Sequence, residues 1–488
     1  MLRYLTPMTL IAALAATFAA TRADHITVRL GNAEIELEGK VNDANRIMTV
    51  THEKFRDLKL NLYYRDTREP IYIQEIIKVP TRREQYNRAL LKAQKGSAAE
   101  RLELAHWTAK RGMLTEFYAS IDLVLQADPN NEHAKRILAL RDKLNEPLAP
   151  SNEEETLTKS IGSGFKFKRS KHYILAYDTP EDRAKERVDL LERVYETFFI
   201  FFAMKGMVLE KPKELMMVVL FNEHKNYLDY SVRQDPELKS AAGYWSPEDN
   251  IAVFFAQGTY PAWATLNEVS AELDKMREDA ERQKLRNRGD IVRLSDTIKL
   301  LKLVLQENED VEVVTHEATH QVAGNSGLFP RRIRIPRWAQ EGLAAFFEAP
   351  SGAMWAGVGA TNATRLEWYR GLEKDRVHSD IDFIVSDHIY DMAASHASVL
   401  HAYGQAWALT HFLMDDKHFP KLMEYYRNLA RLPADMVIGE DILKQCWDAA
   451  FGADRQAVDQ EWRRHMNSLK TDIERLREQY GEKGKAGG

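Results

Sequence analysis

Hydrophobic and polar positions change period several times along the chain, and each change predicts a different kind of element. Residues 24–80 alternate. Ile26, Val28 and Leu30 fall on one face of a strand, Gly31-Asn32 can turn, and Ile35 and Leu37 follow. Leu58, Leu60, Leu62 and Tyr64 alternate again, and Tyr72, Ile73, Ile76, Ile77 and Val79 continue the apolar content. The pattern predicts a small antiparallel β module with no catalytic constellation of its own.

Residues 81–146 take a helical period. Leu104-Ala105-His106-Trp107, followed by Gly112, Ala119, Asp128-Pro129, Ala134 and Leu138, resembles one tetratricopeptide helix pair with a flanking helix. Gly112 is small enough to let two helices cross closely, and Asp128-Pro129-Asn130-Asn131 ends one helix and starts another. Fewer than about three repeats rarely form a binding groove, so a packed helical spacer is favoured over a peptide platform. Residues 147–165, with Pro147, Pro150 and Glu153-Glu154-Glu155, read as a linker.

From 166 the pattern is mixed α/β. Tyr173 to Tyr177, Leu215 to Phe221 and Ile251 to Phe255 are short apolar runs of buried-strand type. Between the first two, Thr179 as N-cap and Pro180 in the first turn open a helix with Leu190, Leu191, Val194, Phe198 and Phe202 on one face. Residues 264–309 are charge-dense and helical, and Gly289-Asp290 is the expected break of a hairpin. Its mixed charges predict a solvated hairpin rather than a nucleic-acid surface. Glu309 or Asp310 is expected to start the next helix, with Val311, Val314, Ala318 and Val322 buried and Gly324-Asn325 at its end.

That helix carries His316-Glu317-Ala318-Thr319-His320. Residues four apart share a helix face, so His316 and His320 can aim two imidazole nitrogens at one point. Zinc accepts such nitrogens together with a carboxylate oxygen, and a catalytic zinc keeps one position for water, from which Glu317 can take a proton. A basic loop with Arg331, Arg332 and Arg334 follows, and Pro336 opens a helix bearing Glu341. Glu341 lies 21 positions after His320, enough for helix, loop and return, and is the expected third ligand. Sites that are purely structural usually close with cysteines. The chain has one cysteine, Cys446, which excludes an internal disulfide and is read as a buried apolar group.

Composition adds little beyond this. A net charge of -5 over 488 residues gives no reason to expect nucleic acid or an anionic membrane as partner. The first 23 residues read as an export signal: Arg3, an apolar run from Met8 to Ala20 too short to span a bilayer, then Thr21-Arg22-Ala23 before a cut at Asp24. The expected location is therefore the periplasm or the extracellular space, without stable membrane insertion after cleavage.

His316-Glu317-x-x-His320 followed by Pro336-x-Trp338-x-x-Glu341-Gly342-x-Ala344 resembles the gluzincin metallopeptidases, the group that includes thermolysin and the zinc aminopeptidases. The Glu-Gly-Leu-Ala ending is most similar to the peptidase MA-like branch, and within it to a family of exported bacterial proteins known only as a domain of unknown function. The resemblance covers roughly residues 166–475 and implies an α+β multidomain protein. Its zincin-like part would have a mixed-sheet half and a helical half, preceded by the β module and the tetratricopeptide-like segment. A flexible tail is expected at 476–488. The resemblance further implies that Ile251 to Phe255 pairs with extended substrate, and that Tyr403, 62 positions after Glu341, stabilises an oxyanion, with His401 as runner-up. Where thermolysin-like enzymes carry an acid that orients a zinc-bound histidine, this chain has Ala345; Glu348 is the expected substitute. Nothing resembles an aminopeptidase's grip on a substrate amino terminus, so an endopeptidase acting on peptide or protein substrates is expected. The alternative is a zinc-binding scaffold whose N-terminal β and helical segments hold a protein partner.

Overall fold

The computed structural model describes residues 24–44, 47–391 and 396–480. The expected export signal at 1–23 and the end of the tail at 481–488 lie outside the described residues. The chain forms two compact units. One consists of Met1–Lys95, Leu266–Val304 and Arg475–Gly488, the other of Gly96–Thr265 and Leu305–Glu474.

In the first unit, β1 (Asp24–Leu30), β2 (Ala33–Ala44), β3 (Ile47–His52), β4 (Lys59–Tyr64) and β5 (Ile71–Ile77) close into a barrel. Closure leaves no open sheet edge. Neighbouring strands are antiparallel except β4 and β5, which meet in a short parallel pair at Tyr63–Tyr72 and Tyr64–Ile73. Ile26, Val28, Leu37, Val50, Leu60 and Ile73 fill the interior. Strand β3 was not anticipated, because its apolar alternation is short, with only Met48 and Val50 set among Thr49, Thr51 and His52. Helix α1 (Arg82–Ala93) follows, opened by a capping box between Thr81 and Glu84.

The second unit begins with α2 (Ala98–Lys110), α3 (Leu114–Ala127), α4 (Glu132–Asn145) and α5 (Glu153–Ile161). Gly112 sits in the turn between α2 and α3 at φ +60, and a Cβ there would lie 2.8 Å from Trp355. It is a turn residue pressed against an indole rather than a helix-crossing point. The segment expected to be a linker contains α5, whose Leu157 is fully buried. The sheet runs in the order β6 (Lys166–Arg169), β7 (Tyr173–Tyr177), β8 (Met216–Phe221), β10 (Ile251–Phe255), β9 (Gly243–Ser246). Strands β7, β8 and β10 are parallel and β9 is antiparallel. Alternate residues of the central strands enter two different cores: Leu175, Val218 and Phe254 face one, Ile174, Val219 and Phe255 the other. Burial on both faces explains why these strands read as continuous apolar runs.

Helix α6 (Glu181–Met204), which starts one residue later than the Thr179 cap implied, packs on the first core, and α7 (His224–Gln234) on the second. The charged segment forms α8 (Ala264–Arg282) and the start of α9 (Arg288–Asn325). The break falls at 283–287, where Lys284 has φ +52, and Gly289-Asp290 lies inside the first turn of α9. Ser295 donates to Asp274 at 2.8 Å and Arg277 to Asp296 at 2.5 Å, closing the hairpin within the barrel's unit. Helix α9 runs unbroken for 38 residues, so Glu309 and Asp310 lie in its interior instead of starting it. The remaining helices are α10 (Arg337–Phe347), α11 (Ala363–Leu372), α12 (Ile381–Val385), α13 (His396–Leu413), α14 (Phe419–Ala430), α15 (Glu440–Phe451), α16 (Arg455–Ser468) and α17 (Asp472–Tyr480). Helix α17 extends into the segment expected to be a flexible tail. Among the described residues no helix is long and apolar enough to cross a membrane.

Candidate metal centre

Three elements of the second unit bring the ligand candidates together. Val311, Val314, Ala318 and Val322 bury one stripe of α9 as the pattern predicted, which fixes the rotation of His316, Glu317 and His320. Helix α10 carries Glu341 one turn inside its start. Its first two amides, Arg337 and Trp338, donate to the Asp387 carboxylate at 2.8 and 2.9 Å, so the cap comes from a residue 50 positions away. Gly342 lets α10 press on α13: a Cβ there would lie 2.1 Å from Thr410 Oγ1 and 2.5 Å from the Ala406 carbonyl.

The three candidate donors converge. His316 Nε2 lies 3.0 Å from Glu341 Oε2 and 3.1 Å from His320 Nε2, and His320 Nε2 lies 3.4 Å from the same carboxylate oxygen. Bonds of about 2.0–2.1 Å at a tetrahedral angle would place neighbouring donors about 3.3 Å apart. His316, His320 and Glu341 form the group able to hold a metal ion among the described residues. The donor chemistry fits a cation. Glu348 Oε2 lies 2.6 Å from His316 Nδ1, and an ionised carboxylate only accepts, so Nδ1 carries a proton. In the neutral imidazole Nε2 then turns a lone pair, not a hydrogen, toward Glu341. Without a metal that conflict is relieved by a second proton. Burial opposes the imidazolium, but the hydrogen bonds to Glu341 and Glu348 outweigh it and hold the His316 pKa well above its ordinary value. A cation placed between the donors substitutes for that proton.

Glu348 also fills the role that position 345 leaves open. Ala345 is buried in the apolar core. Glu348, with no exposed surface, accepts from Arg365 Nε at 2.5 Å and Asn362 Nδ2 at 3.1 Å as well as facing His316. Burial raises its pKa, but Arg365 and His316 more than reverse this and hold it below the ordinary carboxylate range.

Residues 310–435 match a protein family described as a protein of unknown function (DUF1570). The matched segment contains His316, Glu317, His320, Glu341 and Glu348, and extends through Tyr403. No curated protein and no solved structure matches the chain.

Within the DUF1570-like segment, Glu317 is 7% exposed, and burial raises its pKa while His316 and His320 pull it back. The backbone of β9 runs directly against it: a Cβ on Gly243 would lie 3.2 Å from Glu317 Cγ and 2.7 Å from Val313 Cγ1. Tyr403, on α13, has its ring centroid 6.3 Å from that of His316 and meets Tyr390 edge-on. The Glu341 charge, then burial, raises the Tyr403 pKa well above its ordinary value, so the phenol keeps its proton. His401 is not brought to the site. Residues two apart on a helix point about 200° apart, and His401 Nε2 sits 2.9 Å from where a Gly371 Cβ would be. The expected substrate strand Ile251 to Phe255 is paired on both sides, by β8 and β9, and offers no free edge; the sheet edge on this side is β9.

Sequence reasoning missed Arg365, Asn362 and Glu312. Asn362 caps α11, its Oδ1 accepting from the Arg365 amide at 3.1 Å, while its Nδ2 holds Glu348. Arg365 Nη2 reaches Glu312 at 3.1 Å. The only local signal was the Asn362 cap itself.

Proposed function

We propose that the protein is a zinc-dependent peptidase of gluzincin type, exported and acting on peptide or protein substrates. The observation that carries this reading is the convergence of His316, His320 and Glu341 donors at 3.0–3.4 Å, with Glu317 next in sequence and against the sheet edge. Two imidazoles and a carboxylate suit zinc, and a zinc ion held there would supply an acidified water and polarise a carbonyl. Glu317 would accept the proton of the attacking water and return it to the leaving amine. Its buried setting, which raises its pKa above the ordinary carboxylate value, suits a group that takes and gives a proton. Tyr403 would donate its phenol hydrogen to the carbonyl oxygen as charge develops there. An extended substrate would lie along the outer edge of β9, pairing through its backbone beside Glu317.

The test compares parent and Glu317→Gln on an intrinsically unfolded protein, with and without a chelator. The parent is expected to cleave, to stop when zinc is stripped and to recover when it is restored. Glu317→Gln should retain zinc and lose about 10²–10⁴-fold in rate. A variant that cleaves as fast as the parent would remove Glu317 from the mechanism. Stoichiometric zinc with no cleavage by the parent would favour a zinc-binding scaffold.

A further inference from the structure

Glu348 rests in turn on Arg365. Arg365 is 7% exposed and sits in the first turn of α11. Its Nε donates to Glu348 at 2.5 Å and its Nη2 to Glu312 at 3.1 Å. Its guanidinium carbon lies 5.2 Å from the centroid of the Tyr403 ring and 4.6 Å from that of Trp368. One rigid fork therefore touches both sides of the centre: the acid that faces His316, and the Tyr403 ring, whose centroid lies 6.3 Å from that of His316. The placement of α11 is equally constrained. Gly404 lets α13 meet α11 so closely that a Cβ would lie 2.7 Å from the Tyr369 amide nitrogen and 2.8 Å from Trp368 Cβ.

We propose that Arg365 is a positioning residue that sets the geometry of His316 through Glu348 and of Tyr403 through its ring face. It touches neither metal nor substrate. A planar guanidinium can hold two carboxylates and stack between two rings at once, which a lysine ammonium cannot. The inference rests on the metal-centre reading above and deepens it. Outer partners of metal-bound histidines commonly govern affinity by 10–100-fold, and here the outer partner is itself held by a single group.

Arg365→Lys keeps the charge and loses the fork. Zinc(II) affinity is measured by competition with a chromophoric chelator, alongside the thermal midpoint of the metal-free protein. The expected result is an affinity about 10–100-fold weaker than the parent's, with kcat reduced at saturating zinc and KM little changed. Should Arg365→Lys not fold, the double variant Arg365→Met, Glu312→Gln removes the charge together with one of its acids and gives the same comparison. A folded variant with a lowered thermal midpoint and parental zinc affinity would overturn the inference, leaving Arg365 a structural ion pair. A parent that binds no zinc would instead overturn the metal-centre reading beneath it. The affinity measurement decides between these without any need for cleavage.

Discussion

Helix α9 carries two buried clusters of similar composition about one turn apart, and they end differently. In the first, Arg187 makes a two-pronged pair with Glu307 at 2.6 and 2.7 Å and reaches Asp310 at 3.3 Å. Asp310 also accepts from Arg183 at 2.9 Å and from the Gln257 amide at 2.9 Å. These partners are arginines and a backbone amide of the scaffold. In the second, Arg365 likewise joins two acids, Glu312 and Glu348, but Glu348 passes the contact on to His316, whose far nitrogen faces Glu341 and His320. The first cluster joins arginines to acids; the second leads on to three converging donors, His316, His320 and Glu341. An arginine between two acids is thus no mark of function, and the diagnostic feature is the convergence of two imidazoles and a carboxylate at the end of the chain of contacts.

The largest effect should come from breaking the first cluster. Arg187→Ala leaves two buried acids short of their main partner and should cost about 3–5 kcal/mol of stability, measured by denaturant unfolding. Zinc affinity of the folded protein should change by less than about twofold, since Arg187 contacts neither Glu348 nor Glu312 directly and its acids lie a turn or more from the donors. Glu348→Gln is the counterpart: zinc affinity should fall about 10–100-fold, while Glu307→Gln leaves it at the parental value. If both glutamines weaken zinc binding equally, the distinction between the clusters fails. Gly342→Ala attacks the scaffold that brings Glu341 to the histidines. Overpacking against Thr410 and Ala406 should cost about 1–3 kcal/mol, and zinc affinity should fall as α10 moves. A variant of parental stability would show that α10 and α13 are less tightly apposed.

The smallest effect concerns the remote cap of α10. Burial raises the Asp387 pKa to about 6, with the Trp338 and Arg337 amides opposing it. A carboxyl raised in the folded state stabilises most below its ordinary value of 3.8, and that contribution is lost as pH rises through about 6. Partial exposure limits the effect to about 1–2 kcal/mol. Asp387→Asn keeps the acceptor and removes the charge, so the stability difference between parent and variant should shift in the variant's favour from pH 4 to pH 7. A difference independent of pH would contradict it.

How much was legible follows from sequence distance. The four-residue spacing of His316 and His320, the stripe Val311, Val314, Ala318, Val322, and the return to Glu341 are local or nearly so, and the pattern reads them. The start of α9 was misread because Glu309 and Asp310 look like first-turn acids. Asp310 is buried against Arg183, Arg187 and the Gln257 amide, partners that no local rule reveals. Glu348 could be anticipated from the Ala345 gap. Arg365 could not, because its contacts with Glu312 and Tyr403 depend on how α9, α11 and α13 pack. Strand β9 was missed as the sheet edge for a related reason: its four half-buried residues carry no apolar alternation, and its place comes from pairing with β10.

The most direct measurement is zinc stoichiometry by native mass spectrometry, on the parent and on Glu341→Gln prepared identically. A three-ligand centre predicts one zinc per chain in the parent, and loss of most of it when Glu341 becomes a neutral amide. A parent without bound zinc after incubation with the metal, or a Glu341→Gln variant that binds it as tightly, would contradict the assignment of His316, His320 and Glu341 as one site.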